Sequence, residues 1–293
     1  MKYLKITLIT MLAIFIATTS LQARENLRVG VIFDYGTGHD HIQRPKIADK
    51  LITNLNKVFK ESGLSSYYNF QLTKTLHVSF SGGKDFNPLK RDYLRKAYSK
   101  YNGKYAPMLT LQIYQKAYKF DVIVAISENS DVKLLGSAMK VLKKGNIANC
   151  ATYGIVFLNN NNGSSSSSLS KALTDKYALA HEIGHTFGIN HGSAVAKKTG
   201  KSGHYRISNA FAKGANGYGN YDSSNKTNSY TTLMSYKYIP VKSYRANSNR
   251  FSDKSKKNCG YYHNKPCGDS NANAVQVLKN NASKYGKRSE WYN

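Results

Sequence analysis

His181 and His185 stand four residues apart in the run His181-Glu182-Ile183-Gly184-His185-Thr186-Phe187-Gly188-Ile189-Asn190-His191. On a helix, residues at i and i+4 lie one above the other on one face, so both imidazoles can aim at a single metal ion. Glu182 falls one step round, beside the position a water would take, where a general base is needed. Gly188 has no Cβ; it can adopt positive φ, stop the helix and turn the chain. That turn lets His191 reach the same point from a non-helical direction. Three protein nitrogens leave one tetrahedral position open, which separates a catalytic zinc site from a closed structural one. One Zn2+ is therefore the expected cofactor. Its chemistry is hydrolytic: zinc activates a water and polarises a carbonyl, and Glu182 takes the water's proton and passes it to the leaving amine. The plainer reading, a surface helix with solvated histidines, leaves the joint register of these residues unexplained.

Other candidate ligands carry less weight. His39 and His41 lie in a glycine-bearing loop with no further ligand adjacent, and are read as solvated. The chain has 3 cysteines. Cys259 and Cys267 enclose a short loop containing Gly260 and Pro266 and are the expected disulfide, leaving Cys150 as a buried free thiol.

The elements that must position this machinery can be read from periodicity. Leu27 to Tyr35 alternates as a strand, and Pro45 to Ser62 places Ile47, Leu51, Leu55 and Val58 on one helical stripe closed by Gly63. Tyr68 to Phe80 is expected as a strand, residues 90–101 and 107–118 as helices, and Phe120 to Ser127 and Tyr153 to Leu158 as strands. Asn159 through Ser168 reads as a flexible linker or surface loop. Leu173, Tyr177, Ala180, Gly184 and Phe187 form the apolar stripe that anchors the histidine helix. Gly192 to Tyr230 lacks periodicity and is expected as irregular structure, and a C-terminal helix begins near Asn271. Helices alternating with strands argue an α/β or α+β sheet domain.

The run from His181 to His191 resembles the zinc signature of the metzincin metalloproteases, H-E-x-x-H-x-x-G-x-x-H followed by a Met-turn. Thr231-Thr232-Leu233-Met234-Ser235-Tyr236 supplies a Met-turn candidate. The resemblance implies a zincin-like α+β fold: a mixed twisted sheet with an antiparallel edge strand, an active-site helix, and an irregular C-terminal subdomain after the third histidine. It divides a catalytic domain over 24–293 into 24–191 and 192–293, and makes Met234 the apolar floor beneath the histidines. It also places Leu134 to Met139 as the edge strand, with Leu135, Gly136 and Ser137 pairing main chain to main chain with an extended substrate. Arg250-Phe251-Ser252-Asp253, the cysteine-closed segment and the following Asn-Ala helix are similar to the C-terminal subdomain of the adamalysin/reprolysin-like branch and its bacterial relatives. So is Asn56 to Gly63 with the strand after it. The chain departs from reprolysins at Gly192, where most carry Asp. Tyr236 sits two residues past Met234, at the offset where astacin- and serralysin-like enzymes place a metal-binding, transition-state-stabilising tyrosine.

Residues 1–23 read as a secretory leader: Lys2 and Lys5, an apolar core from Ile6 to Ala17, and a small residue, Ala23, at the cut. The apolar run is short for a membrane span, so a secreted or periplasmic location is expected. The formal net charge is +27, of which the leader carries only those two lysines. Such a field draws in anionic surfaces, but the lysines are spread along the chain and no nucleic-acid signature is present. The expectation is a monomeric, exported zinc endopeptidase acting on proteins or peptides. Two alternatives stay open: a zinc amidase acting on cell-wall peptide, and a catalytically inert cationic binding protein.

Overall fold

The computed structural model describes residues 24–34, 42–78, 106–127, 136–138, 142–143, 146–147, 154–159, 176–191, 203–204, 214–221, 230–234, 250–259 and 264–286. The leader, His39, His41, the helix expected over 90–101, Leu135, Cys150, Leu173, Gly192, Tyr236 and nearly all of the Asn159–Ser168 linker lie outside those residues.

The frame is a five-stranded sheet built from β1 (Glu25–Phe33), β2 (Tyr68–His77), β3 (Val122–Ser127), β4 (Gly136–Ala138) and β7 (Ile155–Asn159), in the order β2-β1-β3-β7-β4. A short ribbon, β5 (Leu142–Lys143) with β6 (Asn146–Ile147), lies between β4 and β7 in sequence. β2, β1, β3 and β7 run parallel, and β4 pairs antiparallel with β7 through Gly136–Leu158, Ser137–Phe157 and Ala138–Val156. This is a mixed α/β fold with a parallel core. Every residue of β3 and β7 is buried, which explains their near-continuous apolar runs: both faces of a central parallel strand are covered.

The two faces form separate cores. Val29, Val31 and Phe33 of β1 and Val122, Val124 and Ile126 of β3 pack with α1 (Gln43–Glu61) and the histidine helix. Their neighbours Ile32, Ile123 and Ala125 face α2 (Ala106–Tyr118), where Leu111 and Phe120 complete the cluster. Gly30 is required by close approach, since a Cβ there would lie 2.4 Å from the Phe120 ring.

α1 buries the expected Ile47, Leu51, Leu55 and Val58, and adds Ile52 and Phe59. It ends with Gly63 at φ +70°, and the Gly63 and Leu64 amides donate to the Lys60 and Phe59 carbonyls. That is the Schellman closure, which satisfies helix carbonyls that would otherwise lack partners. Phe59 then meets the rings of Tyr68, Phe70, Phe187 and Phe251 at centroid distances of 5.5, 4.7, 6.4 and 5.4 Å. One side chain thus joins α1, β2, the end of the histidine helix and the C-terminal segment.

The stretch expected as irregular between Gly192 and Tyr230 contains ordered pairing. β8 (Gly203–His204), β9 (Gly219–Tyr221) and β10 (Tyr230–Thr231) form a small antiparallel sheet in the order β10-β9-β8. Strands of two or three residues are too short to show as alternation, so periodicity missed them. The C-terminal helix, α4 (Ala274–Gly286), returns to the main core through Ala274, Val275, Leu278 and Ala282.

Candidate metal centre

His181 and His185 stand on α3 (Ala178–Thr186), which packs against β4 and β7. Leu179, Ala180, Ile183 and Phe187 are buried in the main core, and Tyr177 is packed against it. Leu179 and Ile183 widen the expected stripe. Gly184 is demanded by packing: a Cβ there would meet Met234 Sδ at 2.6 Å and Phe251 Cε1 at 2.8 Å. Met234, fully buried, therefore presses on the helix backbone in the turn that carries both histidines.

The helix stops at Gly188, φ +82°. The Gly188 amide donates to His185 O (3.0 Å) and the Ile189 amide to Gly184 O (3.0 Å), the same Schellman closure seen at the end of α1. Asn190 then donates to Ala215 O and accepts from Gly217, pinning the outgoing chain to the 214–218 segment. The result is convergence. His191 Nε2 lies 2.8 Å from His181 Nε2 and 2.8 Å from His185 Nε2.

The other nitrogens of the two helix rings explain why a metal fits. His181 Nδ1 is 2.8 Å from Leu233 O and His185 Nδ1 is 2.7 Å from Ile189 O. A carbonyl only accepts, so each Nδ1 must carry the proton and each Nε2 presents its lone pair. Lone pairs aimed at one point repel unless a cation stands between them. The three nitrogens are the one set of possible metal ligands among the described residues. An all-imidazole donor set of three suits zinc.

Glu182, next to His181 in sequence, is buried, and desolvation pushes its carboxyl up to about 8. β4 is the edge of the sheet next to α3, and it carries Gly136 and Ser137. Cys259 and Cys267 form the expected disulfide, with a Cα–Cα distance of 5.1 Å. Sequence reasoning did not find the Leu233 and Ile189 carbonyls, because a main-chain acceptor has no residue-type signature. It also missed the direct contact of Phe251 with the Gly184 turn.

The model of Metallo-peptidase family M12 matches residues 48–252, a span that contains all three histidines, Glu182 and Met234. The chain belongs to that family. No curated protein matches this M12 chain. Among solved structures, one titled "Structure of a chaperone-substrate complex" is similar at TM-score 0.55 and 13% identity, over 90% of this chain and 36% of its own. The M12 chain thus spans about a third of that structure's length, and the likeness bears on fold alone.

Proposed function

We propose that the chain is an exported zinc-dependent endopeptidase in which Glu182 is the general base. The observation that carries this reading is the convergence of three Nε2 atoms whose helix-borne rings are oriented by backbone carbonyls, in an M12 family member. His181, His185 and His191 would hold the ion. When bound there, zinc would supply Lewis acidity, activating a water and polarising a carbonyl.

The remaining steps belong to the chain's own residues. Glu182, which burial alone raises to about 8, is drawn back toward its ionised form by positive charge at the histidines, and so becomes a proton acceptor. It takes a proton from the attacking water and returns it to the amine nitrogen as the C–N bond breaks. Gly136 and Ser137 of the edge strand, together with Leu135 before them in sequence, hold an extended substrate by main-chain pairing, which requires no particular side chain. The Tyr236 phenol donates to the developing oxyanion. Met234 keeps the floor of the site apolar and dry.

Export is supported by the leader pattern of residues 1–23 and by the Cys259–Cys267 disulfide, which persists in oxidising compartments. Among the described residues no helix is long and apolar enough to cross a membrane. The catalytic domain runs over 24–293, as subdomains 24–191 and 192–293. The substrate is a protein or peptide.

Glu182→Gln tests the mechanism. Zinc per chain should stay at the wild-type value while kcat on an unstructured protein falls by about 10²–10⁴. His191→Ala should instead deplete the metal. Wild-type turnover by Glu182→Gln would refute the base, and a zinc-free, inactive wild-type protein would refute the enzyme.

A further inference from the structure

Residues 250–269 carry five cations, Arg250, Lys254, Lys256, Lys257 and Lys265, against two acids, Asp253 and Asp269. Lys254, Lys256 and Lys257 are exposed, and Arg250 and Lys265 are partly so; the first four precede the Cys259–Cys267 disulfide and Lys265 lies inside its loop. Among the described residues none of these five cations forms an ion pair; Arg250 donates to the neutral Asn258. The two acids of the region are already engaged. Asp253 Oδ1 accepts from the Ser255 amide and hydroxyl, and Asp269 Oδ1 accepts from the amides of Asn271 and Ala272.

The cations stand on a braced backbone. Cys259 and Lys265 exchange main-chain hydrogen bonds at 2.9 and 3.0 Å, the Cys267 amide donates to Lys256 O, and the Lys256 amide turns back to Asp253 O. The stretch is also tied to the metal centre. The Leu233 amide donates to Arg250 O at 2.9 Å, and the Leu233 carbonyl is the one that orients His181. Lys254, four residues beyond Arg250, can be no more than about 14 Å from it along the chain.

We propose that this braced cationic stretch is a secondary docking surface that selects acidic polypeptide substrates. The inference rests on the peptidase reading and narrows its substrate class. Lysine ammonium groups are mobile point charges on long stems; they fit the irregularly spaced carboxylates of an extended Asp/Glu-rich segment, and ask for no fixed geometry. An extended chain advances about 3.4 Å per residue, so about 14 Å corresponds to roughly four residues, and the acidic segment is placed at that separation or somewhat beyond from the bond that is cut. The gain is mainly in encounter and KM, because these contacts are made equally before and during the chemical step.

The test uses the full zinc-loaded chain carrying Glu182→Gln and two labelled peptides. One has an Asp/Glu tract four to eight residues from a common central sequence, and the other has Asn/Gln at the same positions. Anisotropy should show the acidic peptide binding about tenfold tighter at low salt, the scale of a few exposed ion pairs. The advantage should vanish near 0.5 M salt, where screening is effective beyond about 5 Å. Lys254→Gln/Lys256→Gln/Lys257→Gln should abolish the advantage while leaving neutral-peptide affinity and Tm unchanged. In the enzyme with Glu182 intact, the same triple change should raise KM for the acidic peptide and leave kcat alone. Equal affinity for the two peptides, or a preference surviving the triple change, overturns the proposal. If acidic binding is selective but wild-type enzyme cuts neither peptide, the docking surface stands and the peptidase reading falls.

Discussion

The block formed by β1, β3 and β7 and the described residues of the region from 214 to 286 are held in different ways. In the block, stability comes from many interchangeable apolar contacts on two faces of one sheet. In the later region, order depends on single polar atoms. Ser252 Oγ donates to Asn216 O and accepts from the Ala274 amide, Thr232 Oγ1 bonds both the amide and carbonyl of Tyr218, and Asn216 Nδ2 donates to Asn271 O. Gly268 allows a Cβ no room, with Ala272 O 2.3 Å from where it would be. The histidine cluster straddles the two. α3 is fastened to the sheet core, while the carbonyl that orients His181 comes from Leu233 on the far side. A region of the first kind resists small insults and then unfolds as a unit; one of the second kind can lose its alignment while the sheet stays folded.

Breaking the comparison at its strongest point means cutting into the sheet. Ile126→Ala in β3, at a position with no exposure, removes buried apolar volume and should cost about 2–5 kcal/mol. Chemical denaturation should show one cooperative loss, with zinc per folded chain unchanged. If zinc affinity fell first, the sheet and the site would not be separable.

Gly184→Ala sharpens the comparison at the seam. The new methyl has to displace Met234 Sδ and Phe251 Cε1, side chains of the later region, rather than anything in the sheet. Overpacking of this kind costs about 1–3 kcal/mol. The expected signature is weaker zinc binding, measured against a competing chelator, with the sheet's far-UV dichroism retained. Unaltered zinc affinity would mean that the floor beneath the histidines tolerates more movement than its packing suggests.

The same division explains what the sequence disclosed. Periodicity reports repeated burial, and it located β1, α1, β2, α2, β3 and β7, because each presents several apolar residues in register. Chemistry reports spacing, and it located the His181, His185 and His191 cluster and the Gly188 turn, because i, i+4 geometry and a positive-φ glycine are local properties. What stayed hidden depends on non-local main-chain geometry. Leu233 O, Ile189 O and Ser62 Oγ, which accepts from the Phe251 amide, have partners chosen by tertiary approach, and no pattern in the chain announces them. β8, β9 and β10 were missed because strands of two or three residues are too short to show alternation.

Ser252→Ala isolates the smallest of these effects. The hydroxyl has no solvent exposure and stands between the 216 segment and the first turn of α4, donating at 2.6 Å and accepting at 3.0 Å. Removing it strands one buried carbonyl and one buried amide, at about 1–3 kcal/mol. The Ser252 carbonyl still accepts from the Val275 amide, so α4 keeps one tie to the segment. Loss should therefore be local: faster amide exchange at Ala274 and over 214–218, with β1 and β3 amides as protected as in wild type. Because Asn190 is pinned by Ala215 and Gly217, the loosening passes to His191 by way of one neighbour, and zinc should dissociate faster even though no ligand has changed. Equal acceleration of exchange in β3 would mean that the two regions open together, and the distinction between them would have no thermodynamic content.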